Sequence, residues 1–193
     1  MPHRTFGWSR RAKVGALALT VALIQACGTS ALPTTPVEQS LTRDSSAQFQ
    51  TDSLAYTLNA GVIGYDASLI IVYANSATSI AYFDNCNGAT GVRFEKLVGS
   101  EWQAAWSPNV PLCYSPPIAV LPGRTHLFHV DVFAGYPDCQ CGPRFLTPDI
   151  PGVYRAVWSV GFPTDPASTS VAGGTRTLVR GVSNRFMLSV PSR

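Results

Sequence analysis

The chain has 193 residues, of which 46% are hydrophobic and 13% charged, and its 14 Lys and Arg against 11 Asp and Glu give a formal net charge of +3. Four of the basic residues lie within the first thirteen positions, so the rest of the chain holds 10 basic against 11 acidic residues, a net charge of −1. That balance, with no basic stripe interleaved with aromatic residues, argues against nucleic acid as a partner.

The N-terminus combines a basic segment with a short apolar segment. The uncharged run VGALALTVALI at 14–24 follows four basic residues, Arg4, Arg10, Arg11 and Lys13. A basic segment, an apolar segment and a small-residue cleavage site are typical of a secretory signal peptide. Because a helix that spans a bilayer needs about 20 apolar residues, this run is too short to serve as a transmembrane anchor.

The end of that run resembles the lipobox of bacterial lipoproteins. The sequence IQAC at 24–27 has an aliphatic residue, a variable position, a small residue and then Cys27. The resemblance implies that residues 1–26 are removed and that acyl chains such as palmitate attach Cys27 to a membrane. Two or three acyl chains give stable anchoring, which a single chain does not. Gly28 stands where Asp retains some Gram-negative lipoproteins in the inner membrane, so the outer membrane or the cell surface is the expected location.

The segment after this cysteine is predicted to be a disordered tether. Residues 27–52 are rich in Ser, Thr, Pro and Gln and show no persistent apolar period, so they cannot bury enough surface to fold. Residues 53–193 have the length of one ordinary domain. A chain of that size buries roughly 68% of its unfolded surface, which is enough for a core.

Short runs of β-branched and aromatic residues, broken by Gly, Pro, Asn and Asp, fill this domain, and helical periodicity is nearly absent. The pattern predicts single strands or hairpins within seven segments: 54–61, 68–75, 79–85, 92–106, 118–134, 152–162 and 182–190. The segment 92–106 is expected to be a hairpin with its turn near Gly99-Ser100, and 118–134 to have a turn at Pro122-Gly123 followed by an alternating strand. The predicted fold class is all-β, an antiparallel β-sandwich of seven or eight strands.

One corner of the domain carries a more specific signal. Tyr154 comes just after a Pro-Gly turn and begins an alternating strand. Immunoglobulin-type sandwiches have a tyrosine at that corner, and its hydroxyl bonds to nearby backbone. Ala156 stands where an antibody domain has its second core cysteine, so the domain resembles the Ig-like architecture without its intersheet disulfide.

The segments ANSATSIAYFDNCNG, SPPIAVLPGRT and PGVYRAVW extend that resemblance. With them, the chain is similar to uncharacterised bacterial envelope lipoproteins that have a single Ig-like domain. It also resembles the Ig-like fold of bacterial intracellular proteinase inhibitors. The resemblance implies a fold, since it is carried by structural motifs rather than by chemical ones.

Four further cysteines are expected to form disulfides, because an even number in an exported protein favours them. They allow three pairings, and they are Cys86, Cys113, Cys139 and Cys141. The favoured prediction is Cys86–Cys113, which would join a strand end to the irregular stretch 107–117 and contribute about 3 kcal/mol in the chain-entropy model. Cys139 and Cys141 are predicted to bridge each other, with a redox-active pair or a soft-metal site as the alternatives.

Two histidines of the segment THLFHVDVF are the candidates for chemistry. His126 shares a face with the apolar residues of the strand and is predicted at the margin of the core. His129 and Asp131 share the other face and resemble the orienting half of a catalytic triad, but no serine lies in a nucleophile-elbow sequence. The sequence also has no phosphate-loop, zincin or calcium-loop motif. We therefore expect a non-catalytic protein without metal or cofactor and a solvated strand face at His129.

Aromatic residues around one hairpin form the predicted binding surface. Trp102, Trp106 and Tyr114 would supply contact area at low entropic cost if they are exposed. The alternative is that Trp102 packs in the core and Trp106 covers a sheet edge. The leading expectation is a binding or assembly module for an envelope protein or glycan.

Two other classes of function are the alternatives. One is a protease inhibitor that presents the proline-rich loop 107–117 to an enzyme. The other is a thiol enzyme or metal carrier that uses Cys139 and Cys141. Free thiols in the native protein would favour the second alternative.

Overall fold

The computed structural model describes residues 41, 44, 46–110, 115–136, 139–140, 142–147, 149–165 and 175–191. The predicted signal peptide, the predicted acylation site Cys27 and most of the predicted tether lie outside these residues. The described residues contain no helix and form an all-β fold, as predicted.

Twelve strands make up the described fold. Their bounds are β1 Phe49–Thr51, β2 Ala55–Thr57, β3 Asn59–Ala60, β4 Gly64–Ala74, β5 Ala81–Phe83, β6 Arg93–Val98, β7 Glu101–Trp106, β8 Ile118–Val120, β9 Thr125–Gly135, β10 Gly152–Pro163, β11 Arg176–Val182 and β12 Phe186–Ser189. The number of strands exceeds the seven or eight predicted, because five of them are only two or three residues long and leave little pattern in the sequence.

The first sheet is built on β4. Along one side, β9 pairs antiparallel with β4 over the full length of both strands, from Gly64↔Gly135 to Ala74↔Thr125. Along the other side, β1 pairs with the C-terminal part of β4 and β3 with its N-terminal part.

The second sheet is built on β10. The strands β12 and β11 pair along one side of β10, and β6 and β5 pair along the other. The sheet continues from β6 to β7, from β5 to β8 and from β12 to β2, the last of these being a parallel pairing.

Aromatic side chains from both sheets meet in one core. Phe49 of β1 stacks on Trp158 of β10 with ring centroids 4.6 Å apart and an interplanar angle of 5°. Phe128 of β9 meets Phe83 of β5 edge to face at 4.8 Å. Each of these contacts joins a strand of the first sheet to a strand of the second, so both sheets contribute side chains to the same core.

The folded domain begins earlier than the boundary expected at residue 53. Phe49 is fully buried, and β1 pairs with β4 through residues 49–51. The predicted tether has a polar composition, but Phe49 is one large aromatic side chain beside a sheet edge, and that suffices for it to join the core. The domain therefore includes the last residues of the segment that was predicted to be tether.

The predicted hairpin of β6 and β7 and the predicted turn at Pro122-Gly123 are confirmed, although β8 and β9 on either side of that turn pair with strands of different sheets. One long strand was missed. Gly99 connects β6 to β7 and Gly123 lies in the turn before β9, with φ of 63° and 69°, a backbone region that favours glycine. The missed strand is β11, in which Leu178 and Val179 are exposed and Gly181 is the buried residue. Its side chains therefore lack the alternation that identifies a half-buried strand.

Candidate ligand-binding surface

Four strands of the second sheet bring polar residues together on the face opposite the core. The register pairs Arg155 of β10 with Glu95 of β6, and Glu95 with Ala104 of β7. Because side chains alternate along a strand, Glu95 and Arg155 point away from the core that their neighbours Phe94 and Ala156 enter. On the other side of β10, Arg180 of β11 lies on the same outer face.

Glu95 is the centre of an ion-pair network. Arg155 donates hydrogen bonds to Oε2 of Glu95 from Nε at 2.9 Å and from Nη2 at 2.7 Å. Arg180 donates from Nη2 to both carboxylate oxygens at 2.6 Å. The Glu95 side chain is only 11% exposed, so this carboxylate depends on the two guanidinium groups for its hydrogen bonds.

Trp102 of β7 supports the same network from one side. The guanidinium carbon of Arg155 lies 4.2 Å from the Trp102 ring centroid, and that of Arg185 lies 5.7 Å from it. Both distances fall within the range of a cation–π interaction. The indole thus holds two guanidinium groups in place on this face, and it is itself half-buried.

Arg93 completes the group, since it lies two residues before Glu95 on β6 and is exposed. We name as the Trp102 surface the following residues: Arg93, Glu95, Trp102, Arg155, Arg180 and Arg185. Among the described residues of β6, β7, β10 and β11 that share this face, Glu95 is the one acid. Since arginine is always protonated, the surface carries an excess of positive charge.

Sequence reasoning did not find this cluster. The arginines are far apart in the chain and come together only through the pairing of β6 and β11 with β10. The available signal was local: Arg93 and Glu95 alternate on one strand, and Arg155 lies between two apolar positions. Without the order of strands in the sheet, the sequence does not show which strands pair with each other.

Of the three residues of the predicted binding surface, the structure describes Trp102 and Trp106 and places them on opposite faces of the sheet. Trp102 lies on the outer face, as that prediction required. Trp106 is only 2% exposed, packs against Phe94 and donates from Nε1 to the carbonyl oxygen of Phe133 at 2.9 Å, so its place on a binding surface is wrong. The alternative assignment is reversed as well, because Trp106 rather than Trp102 is the core residue. Tyr114 lies outside the described residues.

The two histidines occupy opposite faces of β9, as predicted. His126 is half-buried and lies edge to face against Phe128 with ring centroids 4.7 Å apart, and burial lowers the pKa of its imidazole. His129 and Asp131 are both exposed. Asp131 accepts a hydrogen bond from the Ser68 hydroxyl at 2.5 Å, so its described partner is the neighbouring strand and not His129.

Two of the four remaining cysteines belong to the described residues: Cys86 is buried and Cys139 is half-buried. Cys113 and Cys141 lie outside the described residues, and so do residues 111–114 of the loop 107–117. The pairing of the four sulfurs therefore stays a prediction.

Within the part of the chain that the structure describes, no group of three or more His, Cys, Asp or Glu side chains is arranged to hold a metal ion. A search of the same residues finds no helix with the length and apolar character needed to cross a membrane. No protein-family model matches the chain, and no curated protein matches it significantly.

Proposed function

We propose that this chain is a lipid-anchored protein of the cell envelope, attached to the membrane through acylated Cys27, with a non-catalytic binding domain. The domain is an Ig-like β-sandwich in this proposal. The hydrogen bond from the Tyr154 hydroxyl to the Ile150 carbonyl oxygen supports that assignment, because it has the form of the tyrosine corner. Disulfides Cys86–Cys113 and Cys139–Cys141 complete the proposed domain.

The Trp102 surface is the proposed ligand-contacting region. The observation that carries this is the excess of guanidinium groups: Glu95 occupies Arg155 and Arg180, whereas Arg93 and Arg185 are exposed beside them. Guanidinium groups held in place by an aromatic ring and a buried carboxylate are ordered before a ligand arrives, which lowers the entropic cost of binding. The proposed ligand is an envelope glycan or protein that presents carboxylate or phosphate groups.

The anchor is tested by intact mass. Full-length protein from a lipoprotein-processing bacterial host is compared with the Cys27→Ser variant, each before and after reduction. We expect the wild-type chain to begin at residue 27 with acyl chains attached and to gain four hydrogens on reduction. A wild-type mass without acylation contradicts the anchor, and a gain of two hydrogens or none contradicts the double disulfide.

The binding region is tested with polymers of known charge. Alginate supplies carboxylates and polyphosphate supplies phosphates, whereas dextran of similar length is neutral. We expect binding to at least one anionic polymer but not to dextran, and weakening by at least about tenfold in the double variant Arg93→Gln/Arg185→Gln.

The matched control removes the same charge elsewhere, in the double variant Arg124→Gln/Arg144→Gln. Arg124 lies in the turn before β9 and Arg144 in the segment between β9 and β10. An equal loss in both double variants would reduce the effect to net charge and contradict a defined surface. Equal binding of dextran would contradict the anionic ligand.

A further inference from the structure

β9 is an edge strand of unusual length. Its eleven residues pair with β4 along one side without a bulge, and no described strand pairs with its other side. A free edge presents a row of unpaired N–H and C=O groups, which is a template for pairing with another chain. The question is how much of this edge is open.

The far end of β9 is covered by the domain itself. The Phe133 carbonyl oxygen accepts a hydrogen bond from Trp106, and the Gly135 N–H donates to the Pro143 carbonyl oxygen at 3.0 Å. Both groups therefore point away from β4. Since this direction alternates along a strand, the backbone groups of residues 125, 127, 129 and 131 also point away from β4. For these four residues, no partner outside the β4 ladder occurs for a backbone N–H or C=O within the described chain.

The open segment Thr125–Asp131 lacks most of the devices that usually protect an edge, and its one acid, Asp131, lies at its end. It contains no Pro, Lys or Arg, and its register with β4 is regular throughout. Three other edge strands of the described sheets are protected: β2 and β8 are three residues long, and β11 carries Arg176 and Arg180. The exposed side chains of the segment include Leu127, which is 55% exposed.

We propose that Thr125–Asp131 pairs antiparallel with the same segment of a second copy of this chain. The two-fold axis would pass beside Phe128, the midpoint of the seven open residues. Leu127 would then lie opposite the partner's His129, and Thr125 opposite the partner's Asp131. Four such pairs, each exchanging two hydrogen bonds, would satisfy every open backbone group of the segment.

Three properties of the edge fit a second copy. A two-fold axis makes a strand edge complementary to itself, because the contact uses the same surface on both chains. The register stops before Phe133, so the partner chain avoids Trp106, which covers that end. The two Leu127 side chains become diagonal neighbours across the axis, where they cover each other's apolar surface, and no like charges lie directly opposite.

Cross-linking tests the register. Full-length chain carrying Leu127→Cys is mixed in detergent with full-length chain carrying His129→Cys and oxidised mildly. Directly opposite residues of a hydrogen-bonded pair have Cα atoms about 5.5 Å apart, within the range for a disulfide. We expect a covalent dimer in the mixture and at least about tenfold less in either variant alone, since diagonal positions are about 7–8 Å apart. Equal or absent cross-linking in all three samples would overturn the proposed register.

Sedimentation equilibrium of the full-length chain tests the association itself. A single pair of strands buries less area than stable dimers do. We therefore expect a reversible dimer whose population rises with protein concentration and is detected in a series that extends to about 1 mM. Leu127→Lys should weaken it by at least about tenfold, because an edge lysine opposes strand pairing.

The matched control is Leu178→Lys, which places the same charge on another exposed leucine, 69% exposed on β11. This variant should dimerise as the wild type does. A wild-type chain that stays monomeric, or an equal loss in both variants, would overturn the proposal. The anchor and the Trp102 surface are tested by other experiments, so their failure would not affect this result.

Discussion

The hydroxyl of Tyr154 donates a hydrogen bond to the carbonyl oxygen of Ile150, four residues earlier in the chain, at 2.5 Å, and Tyr154 is fully buried. The bond ties the turn before β10 to the start of that strand. Because β10 is the strand on which the second sheet is built, this one side chain links a local turn to the pairing of β6 and β12 beside it.

Tyr154→Phe should therefore lower the stability of the domain. The substitution keeps the ring in the core but leaves the buried Ile150 carbonyl oxygen without this donor, so we expect a loss of about 1–3 kcal/mol in the free energy of unfolding. Urea unfolding of the full-length chain measures it. The control is Tyr73→Phe: Tyr73 is equally buried, and its hydroxyl has no hydrogen-bond partner among the described residues. That substitution should be neutral or stabilising, and a loss as large as that of Tyr154→Phe would contradict the argument.

The Tyr154 corner was predictable because its signal is local. A Pro-Gly turn, a tyrosine and an alternating strand are adjacent in sequence, and the bond spans four residues. The same locality explains the turns at Gly99 and Gly123, where the backbone needs positive φ. By contrast, the burial of Phe49 was missed, because it depends on β4 and β10, which lie far along the chain.

The two tryptophans of β7 show that side-chain alternation alone does not predict which face each residue occupies. Trp102 and Trp106 have the same parity on the strand, so alternation alone places them on one face. The register of β6 with β7 shifts between the pairs Phe94↔Trp106 and Glu95↔Ala104, so the two tryptophan side chains enter opposite faces. The candidate surface was therefore half predictable: Trp102 could be named, but its arginine partners and the burial of Trp106 required the sheet order.

Removing the carboxylate of Glu95 should destabilise the domain. In Glu95→Ala, Arg155 and Arg180 lose their shared acceptor and two positive charges remain close together, so we expect a loss of about 1–3 kcal/mol in the free energy of unfolding. The loss should shrink as salt concentration rises, because salt screens the repulsion between the guanidinium groups.

The control for Glu95→Ala is Glu101→Ala. Glu101 begins β7, the neighbouring strand, and is exposed, so its removal should change the free energy of unfolding by no more than about 0.5 kcal/mol. Denaturant unfolding at low and high salt separates the two variants. Equal effects would mean that the Glu95 network contributes nothing beyond net charge.

The close approach of β4 and β9 leaves no room for a Cβ atom at Gly64. A Cβ atom at this position would lie 2.3 Å from the Ala134 carbonyl oxygen and 2.8 Å from the Gly135 Cα atom, both of which are backbone. Gly64→Ala should therefore force β4 and β9 apart and cost about 1–3 kcal/mol of stability, which thermal unfolding detects. At Gly91 a Cβ atom would meet nothing within 4 Å. Gly91→Ala should therefore be neutral or slightly stabilising, and a comparable loss there would contradict the steric explanation.

Alkaline pH should weaken the domain through Tyr56. Burial raises the pKa of Tyr56 from 10.0 to about 12. The second largest cause is the hydrogen bond that the Tyr56 hydroxyl donates to the Asp52 carboxylate at 2.5 Å. Below pH 10 both the folded and the unfolded chain hold this proton, so the contribution is fully present. Between pH 10 and 12 the unfolded chain ionises first, and the stability that this group supplies is lost as pH rises.

The measurement is the free energy of unfolding in urea at several pH values from neutral to about 11.5, together with the absorbance of tyrosinate in the folded chain. We expect the wild type to lose stability above pH 10 more steeply than Tyr56→Phe, which lacks the titrating hydroxyl. The difference remains partial because burial also raises the pKa of Tyr154, whose proton the folded chain holds as well. If the two chains lose stability in parallel, Tyr56 ionises equally easily in both states, and its contact with Asp52 does not hold the proton.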